Sequence, residues 1–144
     1  MFGFGKKARR RKEAEGVLQI TAGTCSAIAT FADGDLASSQ WWKSFAADVG
    51  GLTKIAEKHL AGCKTDADRE RLASELINMS DRTGDKAKEM AMGIVAMRIL
   101  ASTMRDEEAG ENAFYLANAV IDDALQFIQD GRVPSVELAA STSL

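Results

Sequence analysis

The chain has 144 residues, 46% of them hydrophobic and 27% charged, with a formal net charge of −3. That length and balance suit one domain with its own core and exclude wholesale disorder. The charge is uneven: residues 1–12 hold six of the 18 basic side chains and no acid, which leaves 12 basic and 21 acidic side chains, net −9, on the rest.

Proline occurs once, at Pro134, and the long proline-free stretch is rich in Ala, Leu, Met, Glu, Asp and Lys. Such a composition favours helix, and the scattered β-branched residues do not alternate as strands require. The expected fold class is all-α, an antiparallel bundle of about five helices with a basic N-terminal extension. The expected division is a basic arm at 1–12, a bundle domain at 13–131 and a flexible C-terminal tail at 132–144.

The first helix is expected from about Lys7 to Ala32, because Leu18, Thr21, Cys25, Ile28 and Ala32 step by three and four along one face. Its small residues, Ala22, Gly23, Thr24, Ser26 and Ala27, would let a neighbour approach closely. Gly16 to Ala32 carries no charge, yet its Gln, Thr, Ser and Gly content is too polar for a lipid-facing span. The N-terminus does not read as a signal peptide, since no long apolar segment follows the basic cluster. Ala32-Asp33-Gly34-Asp35 suits a helix end and turn.

The second helix is expected from Ser38 or Ser39 to Gly62, with Trp42, Phe45, Val49, Leu52, Ala56 and His59 as its stripe. Gly50-Gly51 interrupts the stripe and predicts a kink or a break. Thr65 and Asp68 predict a capping box for the third helix, which buries Leu72, Leu76 and Met79 and ends near Gly84. Asp85 is set to cap the fourth helix, about Lys86 to Arg105. This helix is apolar on most sides and therefore expected at the centre. The fifth runs from about Glu107 to Gln129, with Phe114, Ala117, Ile121, Ala124 and Ile128 on one face, and Gly131 closes it.

Little in the chain reads as chemistry. His59 is the one histidine and is expected as a partly buried helix-end residue; Cys63 lies one turn on, with Gly62 between them. Cys25 and Cys63 have no metal spacing and read as free thiols of a reducing compartment. No nucleophile–base pair or ligand cluster is present, so no catalytic residue is assigned and a non-enzymatic role is expected. Asp123 is expected either at the rim or as an internal partner for a base such as Arg98. Trp41, Trp42 and Phe45 form a candidate interaction surface, with Trp42 on the core stripe and Trp41 turned about 100° from it.

The arm has three readings. Phe2 and Phe4 with Lys6, Lys7, Arg9, Arg10, Arg11 and Lys12 suit an anionic membrane surface. The same charges suit a nucleic-acid backbone, although the acidic body opposes extended contact. The third reading is a solvated arm that pairs with the acidic body or binds nothing.

Cys25-Ser-Ala-Ile-Ala-Thr-Phe-Ala-Asp-Gly-Asp35, a small-residue helix ending in Ala-Asp-Gly before a Ser-led helix, resembles the tellurite-resistance TerB-type domain. The resemblance implies an all-helical domain that opens on a basic helix and binds divalent cations through acidic residues. It carries over Asp33 and Asp35. The family's second Asp-Gly turn has no match after Met104, where Arg105-Asp106-Glu107-Glu108 stands instead, so Glu107 and Glu108 complete the candidate Ca2+ or Mg2+ set. The leading expectation is a cytoplasmic, non-enzymatic adaptor, scaffold or regulatory module. It would act through its helical faces, by self-association or with a protein partner, and be held peripherally at an anionic membrane by the arm. Apart from a TerB-like cation, no cofactor is expected.

Overall fold

The computed structural model describes residues 2–32 and 40–131, with side chains from residue 5 onward. The turn at 33–39, and with it Asp33 and Asp35, and the expected tail at 132–144 lie outside the described residues. Among the described residues five helices form an all-α bundle: α1 (Phe2–Phe31), α2 (Gln40–Ala61), α3 (Asp66–Ser80), α4 (Lys86–Ser102) and α5 (Glu108–Asp130).

Helix α4 is the hub, packing against each of the other four. Its sequence explains this. Ala91, Ile94, Val95, Ala96, Met97, Ile99 and Ala101 are all buried, and they point in every direction around the axis. Ala91, Ala96 and Ala101 let neighbours come close, and Ile94, Met97 and Ile99 fill the space between them. The directions follow from paired residues. Arg10 meets Thr103 beyond the end of α4, whereas Ala27 shares a groove with Met90 near its start, so α1 and α4 run antiparallel. Arg11 and Leu18 share a second groove with Glu107 and Asn112 at the start of α5, which makes α1 and α5 parallel neighbours. Trp42 packs edge-on against Phe127 with ring centroids 6.1 Å apart, near opposite ends of the antiparallel α2 and α5. The succession is thus antiparallel, but α1 with α5 and α2 with α4 are parallel.

The helix ends behave as their residues require. Thr65 and Asp68 form a reciprocal capping box on α3. The Asp85 carboxylate accepts from the amides of Ala87 and Lys88 at the start of α4. Gly131 closes α5 with φ 71°, a left-handed conformation that glycine adopts without strain.

Three expectations change. Gly50-Gly51 does not break α2; a Cβ at Gly50 would come within 2.9 Å of Cδ1 of the half-exposed Ile128 side chain on α5. Met79 is half exposed and the buried face of α3 is instead Ala73, Leu76 and Ser80, because α3 packs mainly on α4 and buries only a narrow stripe. The first helix begins at Phe2 rather than Lys7, so the basic arm is the first turns of α1.

Candidate functional site

The continuity of arm and body gives the basic segment a defined shape. Arg10 is where α1 joins the bundle. Its guanidinium grips Asp106 with two bonds, Nε to Oδ2 at 3.1 Å and Nη2 to Oδ1 at 2.6 Å. Nη2 also donates to the Thr103 carbonyl at 2.9 Å. This contact lowers the Asp106 pKa, and Arg10 feels Glu107 and Asp66 as well. Arg10 is therefore spent on the acidic end of its own bundle. Lys6, Lys7, Arg9, Arg11 and Lys12 are exposed and form no ion pair among the described residues.

Residues 2–9 extend beyond that clamp as helix, about 12 Å at 1.5 Å per residue, with Gly5 to Arg9 exposed. At about 100° per residue, Lys6, Lys7, Arg9, Arg11 and Lys12 point to different sides of the axis. Within residues 2–9 the extension carries Lys6, Lys7 and Arg9 over about 160° of its circumference, with Phe2 and Phe4 at its N-terminal end. It lacks the single apolar face that lets a helix lie flat in a bilayer surface.

The other candidate residues separate. Trp42 and Phe45 are fully buried, so neither offers the interaction surface expected of it. Trp41 is stacked between Phe31 and Phe45, with centroids 5.3 Å from each, and is half-buried. Its ring closes the end of the core between α1 and α2. Glu107 and Glu108 line the groove between α1 and α5 together with Glu15 and Arg11. They lie at the Arg10 end of α1, whereas Asp33 and Asp35 fall outside the described residues. Among the described residues no three His, Cys, Asp or Glu side chains converge to hold a metal.

His59 is exposed rather than partly buried, because α2 ends two residues later. The Cys63 thiol donates to the His59 carbonyl at 3.4 Å, and both residues line a shallow depression with Asp68, Arg71 and Glu75. Cys25 is buried and its thiol is pushed up to about 12 by burial, which leaves it unreactive. Among the described residues no helix is long and apolar enough to cross a membrane.

Arg98 takes Asn118 as its partner, donating to Oδ1 at 3.3 Å, and the same amide donates to Asp122 at 3.3 Å. Asp122 and Glu57 supply the opposing charge, so Asp123 is not the partner of Arg98. Asp123 is half-buried, and burial, helped by Asp122, raises its pKa. A raised folded pKa means that folding favours the protonated acid, so Asp123 withdraws stability as pH rises through that value. Asp123→Asn is expected to stabilise the protein near pH 7 and to be neutral at about pH 3, below the usual aspartate range. Urea titrations at the two pH values check this; an equal gain at both would mean that charge is not the cause.

No family model, curated protein or solved structure matches the chain.

Proposed function

We propose that this protein is a non-enzymatic helical adaptor or scaffold held at an anionic membrane surface by the N-terminal end of α1, docked end-on. The observation that carries this reading is the basic helical extension beyond the Arg10–Asp106 clamp. A helix entering the headgroup layer end-on is surrounded by phosphates, which Lys6, Lys7 and Arg9 meet over nearly half of its circumference. Phe2 and Phe4 sit at the end that enters first. Lys6 to Arg9 follow about 6–10 Å behind Phe2, the depth at which headgroups lie over inserted aromatic rings. Nucleic acid is a poorer partner, because Asp66, Asp106, Glu107 and Glu108 crowd the base of the rod. The reading places the protein in the cytoplasm, where Cys25 and Cys63 stay reduced and the inner leaflet is anionic.

The alternative is a TerB-like cation-binding domain that uses Asp33, Asp35, Glu107 and Glu108.

Pelleting with vesicles tests the proposal. The full chain is expected to bind phosphatidylcholine vesicles containing phosphatidylserine and to ignore vesicles of phosphatidylcholine alone. Each basic residue near such a surface contributes about 1 kcal/mol, so deleting residues 1–12 should reduce binding by at least a hundredfold. Raising salt should weaken the full chain as well. Equal pelleting of the full and shortened chains would sink the membrane reading.

A further inference from the structure

An apolar groove of about 460 Å3 runs between α1 and α3, floored by α4. Ile20, Gly23 and Ala27 form one wall, and Met90, Gly93 and Met97 the floor. Two of these are mid-helix glycines. Each costs about 1 kcal/mol relative to alanine, yet a Cβ at Gly23 or Gly93 would meet nothing within 4 Å. The same holds for Gly16. Among the described residues no contact requires these positions to lack a side chain. Instead they leave room for another backbone. Beside them Ile20 stands 57% exposed, a large apolar residue with nothing over it.

We propose that this face is covered by a second copy of the chain, with α1 packed antiparallel on α1 about a two-fold axis between Ile20 and Gly23. Gly16, Ile20, Gly23 and Ala27 recur at spacings of four, three and four and so share one face. In the antiparallel pair Ile20 of each copy enters the gap over the partner's Gly23, and Gly16 meets the partner's Ala27. Both contacts occur twice by symmetry, as a two-fold interface demands. A parallel pair would set Ile20 against Ile20 and Lys12 against Lys12.

Charge selects the same arrangement. Arg9 and Lys12 lie at one end of this face, with Glu13 next to Lys12. At the other end Asp81 and Glu89 line the groove beside Ala27. Antiparallel pairing sets Lys12 opposite the partner's Phe31, at the negative end of the α1 dipole and next to those acids. Glu13 falls opposite the uncharged Thr30 of the partner. Lys86 pairs with Glu89 at 3.3 Å, so Asp81 is the acid offered to the incoming lysine.

Sedimentation equilibrium of the full chain, without vesicles, tests the pairing independently of the membrane reading. The expected mass is twice the 15.5 kDa of one chain at micromolar concentration. Gly23→Gln should raise the dimer dissociation constant at least a hundredfold. It should leave the melting temperature of the monomer unchanged or higher, because the new Cβ has open space and glutamine favours helix. A wild-type chain that stays monomeric at 100-fold higher concentration, or a dimer indifferent to Gly23→Gln, overturns the proposal.

Discussion

Replacing Gly110 by alanine is expected to cost about 3 kcal/mol or more of folding stability, since Gly110 has the tightest surroundings of the described glycines. Gly110 lies buried in the first turn of α5, directly under the loop that returns from α4. A Cβ there would overlap the Met104 carbonyl, 2.7 Å from its carbon, and would lie 2.8 Å from Met104 Cβ. These are backbone or near-backbone atoms and no rotamer change moves them aside. The loop has little freedom to retreat. Met104 is buried and its carbonyl accepts from the Glu107 amide at 3.0 Å. Arg105 holds Glu111 through two bonds of 2.7 and 3.0 Å while its guanidinium lies 4.1 Å over the Phe114 ring.

The same loop carries the Thr103 carbonyl and Asp106, the two acceptors that anchor Arg10. The prediction thus reaches from the core to the arm. If the loop lifts to admit the alanine, the base of the basic rod loosens with it. Chemical denaturation should show the stability loss. Hydrogen exchange should show faster amide exchange near Arg10 than in the middle of α1. Wild-type stability for Gly110→Ala would mean that the loop is softer than its hydrogen bonds imply.

The fold was legible because its signals are local. Thr65 with Asp68, Asp85 and Gly131 each mark a helix end through the chemistry of their own few residues. The apolar girth of α4 announced its central place. The errors arose where a neighbour decides. Gly50 looked like a break because glycine disfavours helix in isolation, yet α2 runs through it unbroken with Ile128 of α5 beside it. Phe45 and Trp42 could not be separated from an interaction surface by aromatic content alone; Trp41 is half covered because Phe31, ten residues earlier, stacks on it.

The candidate site was less legible. The six basic residues of the arm look equivalent in sequence. Arg10 is set apart only by Asp106 and Thr103, more than ninety positions away. The groove was hinted at by the small residues of α1, but Gly93 joins it only once α4 lies beneath. Asp122 and Asp123 are adjacent and chemically alike, and a 100° turn of helix gives one an arginine and the other a half-buried rim.

If both proposals hold, the full chain should cluster anionic vesicles as well as bind them. Helix α1 is 30 residues long, about 45 Å. Antiparallel pairing centred between Ile20 and Gly23 leaves about 20 residues from the axis to each Phe2, so the two basic ends stand about 60 Å apart and face opposite ways. One bilayer cannot take both ends end-on, whereas two apposed bilayers can. Turbidity and light scattering of phosphatidylserine-containing vesicles should therefore rise with the full chain. Excess protein should reverse the rise, since each bilayer then fills with its own dimers and the free ends find no partner surface. Gly23→Gln should still pellet with the vesicles without clustering them, because binding needs one arm and clustering needs two. Removal of residues 1–12 should abolish both. Clustering by Gly23→Gln at wild-type strength would show that a single chain bridges bilayers by itself, and pelleting without clustering by the wild type would show that the two arms of a pair do not point apart.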